Sequence, residues 1–423
     1  MRPARLGRER EEMNEYEVID GCRSCGENHL QPVLSLGDMP LSDGFLEETD
    51  LELPEAKYPL NVAFCPACSL VQLMETVAPQ ILFGSAYPYY SSFTESLLAH
   101  SRDNAVRLIE SRALGKDHLV VELASNDGYM LRNFAAAGIR VLGIDPAEGP
   151  ARTAQALGIP TICDFFGQPL ARRLVREDAR ADVVIANNVL AHVSDLGGFV
   201  HGIASILKED GLAVIEVPYV RDLVESCEFD TIYHEHLCYF SVTSLVKLFE
   251  QHNLLLNDVE HYPIHGGSLR LYVSKKERPG DSLLRYLAEE QESGLVELSY
   301  YSDFAERVGK IQRHLLTMLM DLKQAGNCIA GYGAAAKGTI LLNSSGVGKD
   351  IVSFVVDRNI HKQGLFVPGV HVPIFGPETL LEERPQYVVL LTWNLKDEVF
   401  VQQREYRAQG GKFVIPIPYP EVA

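Results

Sequence analysis

The stretch VVELASNDGY at residues 120–129, followed by VLGID at 141–145, has the order strand, glycine-bearing turn, helix, strand and acid. An apolar run rich in Val, Leu and Ile predicts a buried parallel strand, and Gly128 lets the turn bring its backbone close to a ligand. Asp145 falls at the carboxyl end of the second strand, where a carboxylate accepts hydrogen bonds from ribose hydroxyls. This order predicts a nucleotide pocket in a doubly wound α/β fold.

The turn lacks the repeated glycines that hold a pyrophosphate at a helix N-terminus, so a nucleotide cofactor without phosphates fits better. S-adenosylmethionine is such a cofactor. Asp145 is predicted to hold its ribose, Asp164 and Phe165 its adenine, and the turn at 125–128 its methionine part. An NAD-binding domain is the alternative, and the missing GxGxxG motif disfavours it. The predicted cofactor residues are Glu122, Ser125, Asn126, Gly128, Asp145, Asp164, Phe165 and Asn187.

Four cysteines form two CxxC pairs, Cys22 with Cys25 and Cys65 with Cys68. Each pair offers two thiolates from one tight turn, and two such turns complete a tetrahedral sulfur shell for zinc. Disulfide or redox roles are the alternatives, which the short spacing and the expected cytoplasmic context disfavour. Because all four positions are filled by protein ligands, the zinc is expected to be structural.

The composition sets the protein class. A chain of 423 residues is long enough for two to three domains, and a formal charge of −19 disfavours a nucleic-acid partner. No run of about 18 apolar residues is available to span a bilayer, and no apolar core of a signal peptide follows the charged N-terminus. The sequence therefore predicts a cytoplasmic protein without a membrane partner. The oligomeric state does not follow from the sequence.

Strand and helix patterns divide the chain into five parts. Strands are expected at 119–123, 140–144, 182–186 and 212–217, with two more at 254–259 and 269–273 after a helix at 242–250. A second alternation has strands at 328–331, 351–356, 387–391 and 412–415. We therefore predict a disordered lead-in at 1–19, a zinc-binding domain at 20–80, a Rossmann-like methyltransferase domain at 81–280, a helical connector at 281–325 and a second Rossmann-like domain at 326–423.

The motif YHEH at residues 233–236 concentrates groups that transfer protons. Two imidazoles, a carboxylate and a phenol are costly to bury without partners, and proton transfer near neutral pH needs such groups. A structural hydrogen-bond network is one alternative, and a metal site is another, although the HExxH spacing is absent. His192 follows the predicted strand at 182–186, where a reactive methyl group is expected, so it is a further candidate, unless it only packs in its loop.

The stretch GYGAAAKG at residues 331–338 follows a predicted strand and opens a helix, and Asp357 ends the next strand. Its backbone amides and Lys337 are suited to hold a pyrophosphate at the helix N-terminus. GxGxxA alone is a weak signal, so an NAD site and a purely structural glycine turn stay open beside a nucleotide diphosphate from the substrate. The predicted substrate-binding residues are Gly333, Ala335, Lys337 and Asp357.

Taken together, the four cysteines, ELASNDGY, NNVLAHV, YHEHLCYFS and GYGAAAKG resemble the sugar C-methyltransferases of antibiotic deoxysugar biosynthesis. The resemblance covers the chain after about residue 20. It implies methylation at C3 of a dTDP-linked 4-keto-deoxysugar, with S-adenosylmethionine and structural Zn²⁺, and a C-terminal domain that anchors the dTDP group. By motif, it places the active site on Tyr87, His192, Tyr233, Glu235 and His236.

Other functions remain open from the residues alone. O- or N-methylation of the same sugars needs a base but no enolate stabiliser, so the set of Tyr, His and Glu residues favours carbon. An NAD-dependent sugar dehydrogenase would use GYGAAA and leave the turn at 125–128 without a role. A non-enzymatic zinc-knuckle protein would bind neither S-adenosylmethionine nor a dTDP-sugar.

Overall fold

A computed structural model describes residues 15–82, 90–264 and 266–423. The fold class is α/β as predicted, with a zinc-binding N-terminal part and two Rossmann-like parts. Described strands of the N-terminal part form a pair, β1 with β5, and an antiparallel sheet that β11 of the middle part joins at one edge, in the order β11-β4-β3-β2. Their bounds are β1 Tyr16–Val18, β2 Gln31–Pro40, β3 Lys57–Phe64, β4 Val71–Leu73, β5 Glu75–Val77 and β11 Cys238–Tyr239.

The middle part is built on a sheet whose described strands have the order β12-β13-β10-β9-β6-β7-β8. Strands β10 to β8 in that order are mutually parallel, and β13 and β12 add an antiparallel end. The bounds are β6 Leu119–Leu123, β7 Arg140–Ile144, β8 Thr161–Ile162, β9 Ala181–Asn187, β10 Leu207–Pro218, β12 Leu255–Tyr262 and β13 Ser268–Ser274.

Helices cover both faces of this sheet, so its central strands are buried on both sides. Apolar residues of α2 and α3 pack on one face, with Val120, Ile185 and Val214 beneath them. The helices of this part are α1 Pro79–Leu82, α2 Glu95–Ser111, α3 Leu131–Ala136, α4 Glu148–Ala156, α5 Gln168–Arg176, α6 Leu196–Ile206, α7 Val220–Glu225 and α8 Val242–Glu250.

The C-terminal part has a second sheet, in the order β16-β15-β14-β17-β18-β19, which is parallel except at β19. Its strands are β14 Ile329–Tyr332, β15 Val355–Val356, β16 Ile374–Phe375, β17 Tyr387–Leu390, β18 Lys412–Ile415 and β19 Glu421–Val422. The remaining helices are α9 Asp281–Ser293, α10 Phe304–Gln324, α11 Ala336–Ser344, α12 Thr379–Glu383, α13 Lys396–Gln402 and α14 Arg404–Ala408.

Two local expectations need correction. Strand β1 lies inside the stretch 1–19 predicted to be a disordered lead-in, because Tyr16–Val18 pairs with β5. The strand expected at 351–356 is reduced to Val355–Val356. The segment 281–325 is helical as expected, and it packs on the zinc-binding part, where the ring centroids of Tyr301 and Phe64 lie 5.4 Å apart. Along the described stretches, none of the helices is long and apolar enough to cross a bilayer.

Candidate active site

The predicted cofactor residues lie where the strand order of the middle sheet reverses. Strand β6 is flanked by β7 and β9, and ligands of doubly wound folds bind in the crevice at this position. Glu122 is on β6, Asp145 follows β7, and Asn187 ends β9. The structure therefore brings these three residues to one edge of the sheet.

The turn after β6 has an unusual backbone. Ala124, Asn126 and Gly128 all have positive φ, at 54°, 49° and 79°. Such angles are uncommon for residues with a Cβ, and they concentrate at functional sites. At Gly128 a Cβ would also lie 3.2 Å from Cγ1 of Ile159. Glycine is required here for both the dihedral angle and the close packing.

Asp145 is tied into this turn. Its Oδ2 accepts a hydrogen bond of 2.8 Å from the backbone N–H of Asn126, and its Oδ1 accepts one of 2.8 Å from Ala147. Burial raises the pKa of Asp145 to about 6, against the lowering effect of the two backbone donors. The carboxylate thus fixes the turn at the position where a ribose is expected.

Several buried polar atoms at this edge have no hydrogen-bond partner among the described residues. They are both carboxylate oxygens of Glu122, Oγ of Ser125 and Oδ1 of Asn187. Because buried polar groups are nearly always paired, the grouping of these atoms at one sheet edge indicates a position that binds a ligand. An ammonium group suits the Glu122 carboxylate, and S-adenosylmethionine carries one. The side chains present therefore fit the predicted cofactor.

Asp164 and Phe165, predicted to hold the adenine, follow β8 and are exposed. The Asp164 side chain accepts a hydrogen bond of 2.9 Å from the backbone N–H of Phe165. With 46% of its surface accessible, Phe165 is one of the more exposed large apolar residues. An exposed aromatic ring beside the predicted ribose site is a suitable surface for a base to stack on.

The segment before α2 is bound to the cofactor turn. The backbone N–H of Ser91 donates to Oδ1 of Asn126 at 2.9 Å, and the backbone N–H of Ser92 donates to Oδ2 of Asp127 at 3.2 Å. Asn126 is therefore in the turn as predicted, with a side chain that holds a neighbouring segment. Tyr87, the predicted active-site residue of the preceding loop, lies outside the described residues.

Tyr233 and His236 form a hydrogen-bonded pair. Nδ1 of His236 lies 2.8 Å from the carbonyl oxygen of Thr231, and Nε2 lies 2.8 Å from the Tyr233 hydroxyl. Since a carbonyl only accepts, Nδ1 carries the proton, and Nε2 presents its lone pair to the Tyr233 O–H. This tautomer is the one that a base acting through Nε2 needs.

His192 lies next to this pair. Its ring packs edge-on against the His236 ring, with 4.7 Å between ring centroids. The contact is fixed by the backbone, because the N–H of Leu237 donates to the carbonyl oxygen of Ala191 at 2.7 Å. Burial lowers the pKa of His192 to about 4, so its imidazole is neutral near pH 7.

Glu235 and His234 face other parts of the chain. His234 Nε2 lies 3.2 Å from the carbonyl oxygens of Tyr58 and Pro59 on β3, so this histidine anchors the motif to the zinc-binding sheet. Glu235 is buried, and burial together with the nearby Asp43 raises its pKa, whereas Lys362 opposes the rise. The role of Glu235 in orienting an imidazole stays a prediction.

The four cysteines form one cluster. The sulfur atoms of Cys22, Cys25, Cys65 and Cys68 all lie within 4.8 Å of one another, as a tetrahedral zinc shell requires. Strand β4 follows the second cysteine pair, Cys65 and Cys68. It pairs with β11 at the edge of the zinc-binding sheet, with Cys238 opposite Gln72. Strand β11 comes two residues after His236. The zinc site therefore supports the sheet that holds the YHEH motif.

In the C-terminal part, the predicted loop follows β14 and opens α11. Gly333 has a φ of 91°, and a Cβ there would lie 2.5 Å from Cγ2 of Thr392. Asp357 follows β15, and its Oδ2 accepts a hydrogen bond of 2.6 Å from the N–H of Ala334. Ala335 immediately precedes α11. The structure thus brings Gly333, Ala335 and Asp357 together at the carboxyl edge of this sheet.

Lys337, in the first turn of α11, faces the middle part. Its Nζ donates to Oδ1 of Asn394 at 3.0 Å and lies 4.5 Å from the ring centroid of Trp393. The Trp393 indole N–H donates to Oδ2 of Asp230 at 2.7 Å. Burial lowers the pKa of Lys337, and the charges of Asp230 and Glu228 act in the opposite direction.

Sequence reasoning missed several residues that the fold brings to the site. Asp43, Asp230, Lys362 and Trp393 are isolated in sequence, and their contacts join segments that are far apart in the chain. Asp127, which accepts a hydrogen bond from Ser92, is predictable from the sequence, because it belongs to the turn at 125–128.

Comparisons with known proteins match each part of the chain. Residues 22–83 match the family described as "Putative zinc binding domain", residues 94–258 match "Methyltransferase domain", and residues 263–418 match "C-methyltransferase C-terminal domain". The chain is 36% identical to C-methyltransferase NovU of Streptomyces niveus over 96% of this chain and 97% of that protein. The identity extends over all three parts.

Other similarities are confined to the middle part. A ubiquinone biosynthesis O-methyltransferase of a Methylobacterium species is 31% identical over 28% of this chain and 50% of its own length. The S-adenosylmethionine-bound magnesium protoporphyrin IX methyltransferase of Synechocystis PCC 6803 aligns with 42% of this chain and 79% of its own, at 14% identity and a TM-score of 0.33.

The full-length relative confirms the resemblance that the motifs indicated. The cofactors are S-adenosylmethionine and a zinc ion held by the four cysteines. The chain belongs to the family of S-adenosylmethionine-dependent C-methyltransferases with a zinc-binding N-terminal domain.

Proposed function

We propose that the enzyme transfers a methyl group to C3 of a dTDP-linked 4-keto-deoxysugar. The observation that carries this proposal is the Tyr233–His236 pair beside His192, at the sheet edge that also holds the cofactor residues. A C3 hydrogen next to a C4 ketone is weakly acidic, so its removal needs a base and a group that stabilises the enolate oxygen. Methylation of a hydroxyl or amine needs only the base.

His236 is the proposed base. Its Nε2 takes the C3 proton, the C–H electron pair moves into the enolate, and charge builds on the C4 oxygen. The carbonyl of Thr231 holds the Nδ1 proton, so the lone pair stays on Nε2. The Tyr233 hydroxyl, which donates to Nε2 at 2.8 Å, must turn toward the sugar or share in the proton transfer when the base acts.

His192 is the proposed donor to the C4 oxygen. A neutral imidazole retains one N–H, and the burial that lowers its pKa keeps it in this form. When bound, S-adenosylmethionine supplies an electrophilic methyl group on its sulfonium. The enolate carbon C3 would then form the new C–C bond as the methyl–sulfur bond breaks, so that S-adenosylhomocysteine leaves and the C4 ketone is restored. We propose that Glu235 orients or polarises an imidazole and that Tyr87 binds the sugar with Tyr233.

The two nucleotide-binding edges divide the remaining work. On the middle sheet, Asp145 binds the ribose and Glu122 the ammonium group of the cofactor, with Ser125 and Asn187 alongside. On the C-terminal sheet, Gly333, Ala335, Lys337 and Asp357 anchor the dTDP group. Lys337 also links this loop to the middle part, because it lies against Trp393. The indole N–H of Trp393 donates a hydrogen bond to Asp230. The sugar would thus extend from α11 toward the YHEH motif.

The test is to incubate the enzyme with S-adenosylmethionine and a dTDP-4-keto-2,6-dideoxy sugar and to locate the new methyl group by NMR. We expect it on C3. C5 is also next to the ketone and equally open to enolate chemistry, so a methyl on C5 would keep C-methylation and overturn the position. A methyl on oxygen or nitrogen would support the second candidate, an O- or N-methyltransferase.

A further inference from the structure

Lys362 is a buried lysine in the loop after β15, with 6% of its surface exposed. Its Nζ donates a hydrogen bond of 2.7 Å to the carbonyl oxygen of Ala334. The N–H of the same residue donates to Asp357. Both backbone groups of Ala334 are therefore held by side chains, and the loop at 333–335 is fixed between them.

On its other side, Lys362 faces the zinc-binding part. Its Nζ lies 3.5 Å from Oδ1 of Asp43 and 4.6 Å from the ring centroid of Phe45. In the described part of the chain, Asp43 Oδ1 is buried and makes no hydrogen bond. A carboxylate with only 12% of its side chain exposed depends on the lysine charge, since an unpaired charge that is largely buried is disfavoured.

Glu235 of the YHEH motif lies in the same electrostatic environment. Its carboxyl is buried, and the charged side chains that act on it are Asp43 and Lys362. The cluster thus joins residues from all three parts of the chain. The contact of the lysine is with Asp43, at 3.5 Å, and removal of Lys362 would take its positive charge away from the surroundings of both acids.

Joining the zinc-binding and C-terminal parts does not by itself explain the position of Lys362. The zinc-binding and C-terminal parts are already joined by the backbone bridge between Leu46 and Phe366, by Thr339 donating to the Ser42 carbonyl, and by the ion pair of Glu55 with His371 at 3.0 Å. None of these contacts involves the loop at 333–335 or Glu235. Lys362 differs from them because it binds that loop directly.

We propose that Lys362 is a positioning residue for methyl transfer, which holds the loop at 333–335 against Asp43 of the zinc-binding part and supplies positive charge to the surroundings of Glu235, in one arrangement around the acceptor sugar. The inference rests on the proposed function, in which the nucleotide end of the sugar lies at this loop and its reacting carbon at the YHEH motif. Lys362 contributes no atom to the reaction. It sets the distance between the two ends of the substrate site.

The test compares Lys362→Met with Lys362→Arg and with Glu55→Gln, which breaks an ion pair between the same two parts away from the site. For Lys362→Met we expect kcat to fall and KM for the dTDP-sugar to rise, each by about tenfold or more, because small displacements of reacting groups are costly. Kd for S-adenosylmethionine should stay within about twofold of the wild-type value, because changes at sites far apart have nearly independent effects. Lys362→Arg should recover part of kcat, and Glu55→Gln should leave both constants near the wild-type values.

A double variant with Glu235→Gln completes the test. If Lys362 acts through Glu235, the loss of kcat in the double variant will be close to that of the worse single variant, because coupled residues are not additive. Multiplied losses, or a Lys362→Met enzyme no worse than Glu55→Gln, would overturn the positioning role while leaving C-methylation intact. A wild-type enzyme that does not methylate the dTDP-sugar would overturn the proposed function and this inference together.

Discussion

The Tyr233 hydroxyl donates a hydrogen bond of 2.8 Å to Nε2 of His236, while Nδ1 of the same ring donates to the Thr231 carbonyl. The two bonds fix the tautomer and the ring plane, so the basic nitrogen is oriented before the substrate arrives. They also make the phenol part of the proton-transfer unit, since its O–H occupies the lone pair that the C3 proton will need.

The first prediction concerns this hydrogen bond. Tyr233→Phe should lower kcat about 10- to 100-fold, the range typical of a group that assists proton transfer, with a smaller change in Kd for S-adenosylmethionine. Steady-state kinetics and isothermal titration calorimetry separate the two effects.

Tyr239→Phe is the matched control for Tyr233→Phe. Tyr239 belongs to the same motif and is buried, but among the described residues its hydroxyl makes no hydrogen bond to a side chain. Removing it should leave kcat unchanged. An equal loss of kcat in both variants would mean that the motif tolerates no change at either tyrosine. It would contradict a role of Tyr233 in proton transfer.

The second prediction concerns pH and the cofactor. The pKa of Asp145 is raised to about 6 by burial, so the carboxylate is ionised above pH 6 and becomes protonated below it. Because the ionised form accepts hydrogen bonds from ribose hydroxyls, affinity for S-adenosylmethionine should fall as pH drops from 7 to 5, by up to about tenfold per pH unit. Asp145→Asn should bind more weakly and show a flatter profile. A wild-type Kd that is constant over this range would contradict the assignment.

The third prediction concerns zinc. Strand β4 follows the second cysteine pair and binds β11, and Leu73 N–H also donates to the Leu237 carbonyl at 2.9 Å. Removing zinc with a chelator, or replacing Cys65 by Ser, should therefore lower kcat more than it weakens S-adenosylmethionine binding, because the YHEH motif loses its support. Metal analysis and calorimetry on the same sample test this. Cys163→Ser, at an exposed cysteine outside the cluster, is the control.

Equal losses of kcat and of cofactor binding would show instead that zinc stabilises the whole chain uniformly.

The fourth prediction concerns stability. Buried Glu290 on α9 accepts hydrogen bonds from the Tyr219 hydroxyl and from the backbone N–H groups of Val242 and Thr243, so it caps α8 from outside that helix. Glu290→Ala should lower the free energy of unfolding by about 2–4 kcal/mol, since several buried donors lose their acceptor. Urea unfolding measures this. The neighbouring Glu289→Ala, on a half-exposed side chain, should cost far less.

The same residue shows what the sequence alone can predict. The strands at 119–123 and 140–144 are predicted to the residue from their runs of Val, Leu and Ile, and 119–123 is buried throughout, as a strand covered on both faces is. The cysteine cluster followed from its spacing. The capping role of Glu290 is not predictable from its own charged helix, because its hydrogen-bond partners lie about 50 to 70 residues earlier in the chain.

The candidate site divides in the same way. Asp145, Gly128 and the YHEH motif carry local signals, which are strand ends, turns and dense titratable groups. Lys362 and Trp393 carry none, since each acts by contacting a segment from another part of the chain. The packing of the three parts against one another, and not the local pattern, brings these residues to the site.

The most direct test of the proposed chemistry is exchange of the C3 hydrogen in D₂O. The wild-type enzyme, with S-adenosylhomocysteine in place of the methyl donor, should replace the C3 hydrogen of the dTDP-4-keto sugar by deuterium, as followed by proton NMR. His236→Asn should reduce the enzyme-catalysed exchange by about 100-fold or more, as expected for loss of a general base, while it still binds S-adenosylhomocysteine. Exchange at the wild-type rate in His236→Asn would contradict the assignment of His236 as the base.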